Sequence, residues 1–179
     1  MQKLTESEIL EAIKSGEPFS ACHEDGAFEI KLEEYCPHIG TAIHAGHTLR
    51  QDLLDNCLLD DSARLLEEDP LTDSFVSDFP ITLVGRDSRY EYDLNRGPDS
   101  AVYDTAWGVE VWRQPLTDAQ RKLSLAKHAR FYRVMRALAD QLEQRFGGAL
   151  IVDTHSYNYR VREHAAPPVF NIGTEQVDE

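Results

Sequence analysis

Cysteine is scarce in this sequence: Cys22, Cys36 and Cys57 are the only three, and no two stand in a CxxC spacing. An odd, widely spaced set excludes a disulfide framework and a cysteine-based zinc knuckle, so these residues read as reduced thiols. Positive charge is scarce as well, with 18 Lys and Arg against 32 Asp and Glu and a formal net charge of −14. That balance repels phosphate backbones and no basic block interrupts it, which excludes nucleic acid as an expected partner. No apolar run approaches the roughly 18 residues that a bilayer span requires, so no membrane partner is expected. The N-terminus, Met1 to Glu6, has no basic stretch leading into an apolar one, and the expected location is therefore the cytoplasm. Internal repeats and low-complexity tracts are missing too.

What is there suits an ordinary globular protein. Apolar residues make up 41% and charged residues 28% of 179, enough to bury a real core in one α/β domain over residues 1–179 but too little for two independent ones. Thr5-Glu6-Ser7-Glu8 has the capping-box pattern, and Ile9, Leu10 and Ile13 then supply an apolar stripe, which predicts a short first helix. Phe19–His23 and Ala27–Leu32 flank Asp25-Gly26, a hairpin signal. Gly40–Ile43, Ile81–Val84 and Tyr90–Leu94 read as strands. Leu49–Cys57 and Asp61–Glu68 read as helical turns, and Asn95–Asp104, with Gly97-Pro98, as loop.

Thr117-Asp118-Ala119-Gln120 opens the strongest helix. Leu123, Phe131, Val134, Leu138, Leu142 and Phe146 keep helical spacing until Gly147-Gly148. Ala149–Val152 follows as a continuous apolar run of the kind found in central strands buried on both faces, and it ends on Asp153-Thr154-His155-Ser156. A helix feeding such a strand, with polar groups at its end, is how open α/β sheets build sites at strand C-termini.

Two constellations could carry chemistry. His44 and His155 each follow a predicted strand, so two distant imidazoles could converge at one sheet edge. A catalytic zinc uses three N or O ligands and leaves a fourth position open, and the nearest dense supply of a third, acidic ligand is Glu67-Glu68-Asp69. The alternative is that both histidines are hydrogen-bonded loop residues. His44 and His47 at i and i+3 could also form a helical ligand pair, although Gly46 argues against a helix there. The second constellation is Arg89, Asp93, Asn95 and Arg96. A guanidinium fork beside an amide donor suits an amino-acid carboxylate, whereas the competing reading pairs both arginines with Asp87, Asp93 or Asp99 as surface salt bridges. Alternation along a strand would set Arg89, Glu91 and Asp93 on one face. His128 lies one residue off the apolar stripe of the long helix, and Trp107 and Trp112 read as packing groups or, alternatively, as a substrate lining.

Taken in order, Ile43-His44-Ala45-Gly46-His47, Glu67 to Asp73, Ser88-Arg89 through Asp93-Leu94-Asn95-Arg96, and Asp153-Thr154-His155-Ser156 resemble the N-formylglutamate amidohydrolase family over about residues 40 to 175. The resemblance implies an α/β fold, three-layer α/β/α with a central mixed sheet, hydrolase-like and akin to the zinc exopeptidases. It implies zinc-dependent hydrolysis of N-formyl-L-glutamate to formate and L-glutamate, as in histidine degradation, with a small molecule as the partner and no oligomeric state specified. Carried over by position, His44, Asp69 and His155 are the expected metal ligands, with Glu68 as the alternative carboxylate. Asn95 and Arg96 are the expected substrate clamp, helped by Arg89. Arg89, His128 and Glu175 are the expected catalytic groups, Glu175 replacing a base that related enzymes take from a later segment. Two departures stand out. His47 occupies a position where related peptidases carry a Glu ligand, and the chain is short for the family. The second departure sets an alternative beside the hydrolase, a truncated and catalytically silent domain that binds metal or an amino acid.

Overall fold

The computed structural model describes residues 1–157 and 170–173. Thr5 caps α1 (Glu6–Ser15) through the expected reciprocal box with Glu8, and Gly16 closes it in the left-handed conformation. Strands β2 (Phe19–His23) and β3 (Phe28–Leu32) pair antiparallel around Asp25-Gly26, where φ of +81° at Gly26 supplies the turn that a side chain would resist. The short β1 (Gln2–Leu4), invisible to the sequence reading, lies parallel to β2.

Three further strands build the functional half of the sheet. They are β4 (His38–Ala42), β5 (Ile81–Gly85) and β8 (Leu150–Asp153), and the full order is β1-β2-β3-β5-β4-β8. β4 is parallel to both β5 and β8, while β3 runs antiparallel to β5, so the sheet is mixed and the C-terminal ends of three strands share one edge. Between β4 and β5 lie only short helices: α2 (Gln51–Leu54), α3 (Asp61–Leu65) and α4 (Thr72–Phe75). A two-strand ribbon, β6 (Thr105–Ala106) with β7 (Val109–Glu110), interrupts the long loop that follows β5.

The long helix α5 (Asp118–Phe146) starts at Thr117 with a second capping box and stops at Gly147 in the left-handed conformation. Its Phe131, Val134, Leu138 and Leu142 pack with Ile9 and Ile13 of α1 on Phe28, Ile30, Leu32, Ile39 and Leu83. Each such side chain, withdrawn from water, contributes roughly 1.5–3 kcal/mol. The other sheet face is covered more thinly. A Cβ on Gly40 would collide with Val76 and Phe79, which sit with Ala42 and Val84 in a separate cluster just after α4. The layering is thus helix, mixed sheet, short helix. No helix among the described residues is long and apolar enough to cross a membrane.

Three local expectations are corrected. Residues 90–94 form turns and not a strand, because their buried charged groups must reach partners on several sides: Glu91 turns to Arg50 while Asp93 turns to Arg89 and His44. Among the described residues β8 is not central but lies at an end of the sheet order, with Leu150 60% and Ile151 43% exposed. An apolar run cannot distinguish a strand covered on both faces from one whose cover is thin. On α5, Leu123 and Phe146 fall outside the buried stripe.

Candidate metal centre and its cleft

Because β4, β5 and β8 end together, the loops that follow them meet. Gly46 allows the meeting: a Cβ there would stand 2.2 Å from the backbone carbon of Arg86, so no other residue fits. The close approach is fixed by Thr48 N donating to Arg86 O (3.1 Å) and Ser88 N donating to Thr48 O (2.7 Å). His44 leaves β4, Asp93 comes from the loop after β5, and His155 from the segment after β8.

His44 is 1% exposed. Its Nε2 lies 2.8 Å from Oδ1 of Asp93, and its Nδ1 points toward Oδ2 of Asp69 at 3.4 Å. His155 repeats the arrangement: Nε2 is 2.9 Å from Asp153 and Nδ1 is 2.9 Å from the same Oδ2 of Asp69. The two rings are 5.2 Å apart between centroids. Asp69 is anchored by its own amide, which donates to His44 O at 3.0 Å, and its Oδ1 accepts from Ser156 Oγ at 2.9 Å. Thr41 donates to Asp153 at 2.6 Å.

Electrostatics and hydrogen bonding point the same way. Burial pushes the Asp69 carboxyl up, but hydrogen bonds from His155 and Ser156, with the His44 imidazole alongside, outweigh it and hold the group well below the usual carboxylate range. For Asp93 burial is again opposed, by the hydrogen bond and charge of His44 and by Arg89, and the result is about 2. Burial lowers the His155 imidazole, yet its bonds to Asp153 and Asp69 raise it to about 9. Among the described residues, the buried Nδ1 of His44 has no hydrogen-bond partner in this network, Asp69 Oδ2 standing 3.4 Å away. An orphaned imidazole nitrogen in a protein interior is costly unless something binds it.

The residues therefore fit a metal ion. His44, Asp69 and His155 offer three ligand atoms within 4.8 Å of one another. Two imidazoles and a carboxylate are a donor set suited to zinc, and each imidazole has its remote nitrogen held by a carboxylate, as metal-bound histidines do.

A cleft of about 740 Å³ opens beside Asp69 and is lined by Arg89, Asn95, Arg96, Trp107 and Tyr157 among others. Arg89 is held in place: Nε and Nη2 bond Asp93 at 3.2 and 2.7 Å, and Nη1 bonds the Glu67 carbonyl at 2.7 Å, which leaves one N–H on each Nη. Arg96 is different. Its side chain is 47% exposed, reaches Asp93 only at 3.7 Å and lies over the Tyr103 ring. His128 sits in α5 with Nε2 at 2.9 Å from the carbonyl of Arg96, so it meets the backbone of the 95–96 segment rather than His44, Asp69 or His155. Glu68 faces His47 and Ser88 and not the triad. Glu175 lies outside the described residues.

Sequence reasoning overlooked Asp93 and Asp153 as partners of the two histidines, and Glu67 and Ser156 as groups of the cleft. The signal for Asp153 was present in the Asp-Thr-His spacing. For Asp93 none was available, because its contact with His44 spans 49 residues.

The family model that matches this chain, over residues 36–178, is described as N-formylglutamate amidohydrolase. A crystal structure of N-formylglutamate amidohydrolase from Ralstonia eutropha superposes with a TM-score of 0.67 at 18% identity, covering 80% of this chain and 63% of that one. A gene product of Agrobacterium tumefaciens superposes with a TM-score of 0.60 at 22% identity, covering 73% of this chain and 56% of that one. The chain thus spans less than two thirds of the length of these solved structures. No curated protein matches it significantly.

Proposed function

Since the chain belongs to the N-formylglutamate amidohydrolase family, we propose that it hydrolyses the amide bond of an N-acyl amino acid with the help of zinc, N-formyl-L-glutamate being the family's reference substrate. The observation that carries this reading is the Nδ1 of His44, buried, without a hydrogen bond among the described residues and turned toward Asp69 at the side of a cleft lined by Arg96.

In this reading His44, Asp69 and His155 hold the ion. A zinc ion bound there supplies Lewis acidity, which polarises the acyl carbonyl and makes a nearby water more acidic. Asp93 and Asp153 fix the ring orientation of the two histidines and keep Nδ1 of each directed inward. Arg96 and the Asn95 amide bind the α-carboxylate of the substrate and so fix the distance from that carboxylate to the scissile bond. Arg89, braced by Asp93, presents positive potential to the oxyanion that develops on the acyl oxygen. Glu67 and Asp69 are carboxylates of the cleft lining, and Asp69 is assigned to the ion, so Glu67 takes the proton from the attacking water and returns it to the leaving amine. Glu175 keeps its place as the sequence-based alternative for that role. Location in the cytoplasm and a place in histidine degradation belong to the same proposal.

The test is direct. The purified protein is assayed for bound zinc by elemental analysis and for formate release from N-formyl-L-glutamate. Retained zinc and zinc-dependent formate release support the reading. Neither, after zinc has been added back, defeats it. Zinc retention without hydrolysis of any N-acyl amino acid favours the silent binding domain.

A further inference from the structure

Asp93 is the meeting point of the candidate metal centre and the two cleft arginines. Its Oδ1 accepts from the Asn95 amide at 2.7 Å and faces His44 Nε2 at 2.8 Å. Its Oδ2 takes Nε and Nη2 of Arg89 at 3.2 and 2.7 Å and, in addition, the hydroxyl of Tyr103. A carboxylate offers about four acceptor positions, so with these donors in place Asp93 is saturated. Arg96 stays outside: its Nε stands 3.7 Å from Oδ2, about 0.8 Å short of an ordinary N–H···O bond, and its guanidinium lies over the Tyr103 ring at 5.0 Å. Tyr103 thus touches both groups, with its hydroxyl on the carboxylate and its ring against the guanidinium. It is itself firmly held, being 5% exposed, with its carbonyl accepting from Trp112 Nε1 at 2.7 Å and the Trp107 ring edge-on at 5.5 Å. The Asp93 amide donates to Ala101 O at 2.7 Å, which brings residue 103 back to residue 93.

From this arrangement we propose that Tyr103 is a positioning residue: its hydroxyl fills the last acceptor position of Asp93 and its ring carries the Arg96 guanidinium, so that Arg96 stays off Asp93 and open to a carboxylate in the cleft. The proposal rests on the reading of Arg96 as the substrate clamp and adds the residue that keeps the clamp available. Asp93 is fully buried, so its charge is poorly screened and attracts Arg96 strongly across 3.7 Å. Without the hydroxyl, Oδ2 has an open acceptor position within reach of Arg96 Nε. On closing, Arg96 spends one edge of its fork and much of its charge on Asp93, and a carboxylate ligand meets a weaker partner.

Two measurements on the full chain test this. Hydrogen exchange at the arginine Nε positions is followed by NMR, and binding of N-formyl-L-glutamate to the metal-free protein, where no turnover interferes, by calorimetry. In the wild type the Arg89 Nε proton should be protected and that of Arg96 should exchange at least about tenfold faster. Tyr103→Phe keeps the ring and removes only the hydroxyl, and urea unfolding checks that the variant folds. In it the Arg96 proton should slow about tenfold and the ligand should bind about tenfold more weakly, the size of one hydrogen bond to a charged group. Arg96→Ala should weaken binding as well, and adding Tyr103→Phe to it should change affinity by less than about twofold, because both substitutions act through one group. An Arg96 proton already protected in the wild type, or unchanged by Tyr103→Phe, overturns the proposal. So does an equal loss of affinity from Tyr103→Phe with and without Arg96. If Arg96→Ala leaves binding unchanged, or the ligand does not bind at all, the clamp reading fails instead, and the exchange rates still decide whether Tyr103 holds Arg96 away from Asp93.

Discussion

Two clusters of buried charge lie on either side of residues 87–93, and they end in opposite states. In the first, Asp87 and Glu91 meet Lys127, whose Nζ is 3.0 Å from each; Arg50 adds a 2.7 Å bond to Glu91, and Tyr92 donates to Asp87 at 2.6 Å. Burial and the charge of Asp87 push the Glu91 carboxyl up, while Lys127 is held above its ordinary value because the two carboxylates outweigh its desolvation. Each of these charged groups has a partner of opposite sign. In the second cluster Asp69, Asp93 and Asp153 surround His44 and His155, and one buried nitrogen is left over. The comparison teaches how to separate a structural ion cluster from a candidate binding site: the first is paired within the chain, and the second leaves a donor atom that a cation could take.

The comparison can be broken most severely at the triad. Asp69→Asn should abolish metal retention and lower any amide hydrolysis by about a thousandfold, on the order expected when a group essential to the chemistry is removed. Elemental analysis and formate release check it, with circular dichroism to show that the fold persists. At the other cluster, Lys127→Met should leave metal stoichiometry of the folded protein intact but cost about 3–5 kcal/mol of stability, because two buried carboxylates lose their cation. Urea unfolding measures that cost. If it were instead near zero while metal binding disappeared, the two clusters would be one functional unit and the distinction would fail.

Between these extremes lies Asp93→Asn, which keeps a hydrogen-bond acceptor for His44 Nε2 but removes its charge. Metal affinity should fall about 10–100-fold with the ligands themselves untouched, as read by competition with a chelator. A contrast outside both clusters comes from Asp25. Burial opposes its ionisation, yet hydrogen bonds from His23, the Ala27 amide and Arg130 bring it to about 2 in the folded protein. Its unfolded value is about 3.9, so the stabilisation is present above that pH and is lost as pH falls toward 2. Asp25→Asn should flatten the loss of stability in this window, measured by unfolding at a series of pH values. The smallest effect is expected at Leu71, which follows Asp69 and Pro70, is 74% exposed and holds φ at +71°. Leu71→Gly should relieve about 1 kcal/mol of backbone strain and raise stability slightly.

Local chemistry made much of the framework legible from residues alone. The two capping boxes at Thr5 and Thr117, the Asp25-Gly26 hairpin and the glycine stop at residue 147 depend on groups within four residues of one another, and each is where its pattern places it. His44 and His155 were legible as strand-end residues for the same reason. The segment 90–94 misled because its apolar and charged residues alternate like a strand, while its fold is decided by where Arg89, Arg50, Lys127 and His44 stand in space.

What the sequence determined by itself, then, was the set of elements and the chemical kinds of group at their ends, since periodicity, capping and turn formation are short-range effects. Which carboxylate each histidine meets, which arginine bonds Asp93 and which only approaches it, and that β8 ends the sheet order among the described residues were decided only by tertiary structure. These follow from contacts across tens of residues, where the same side chain could satisfy several partners and packing admits one.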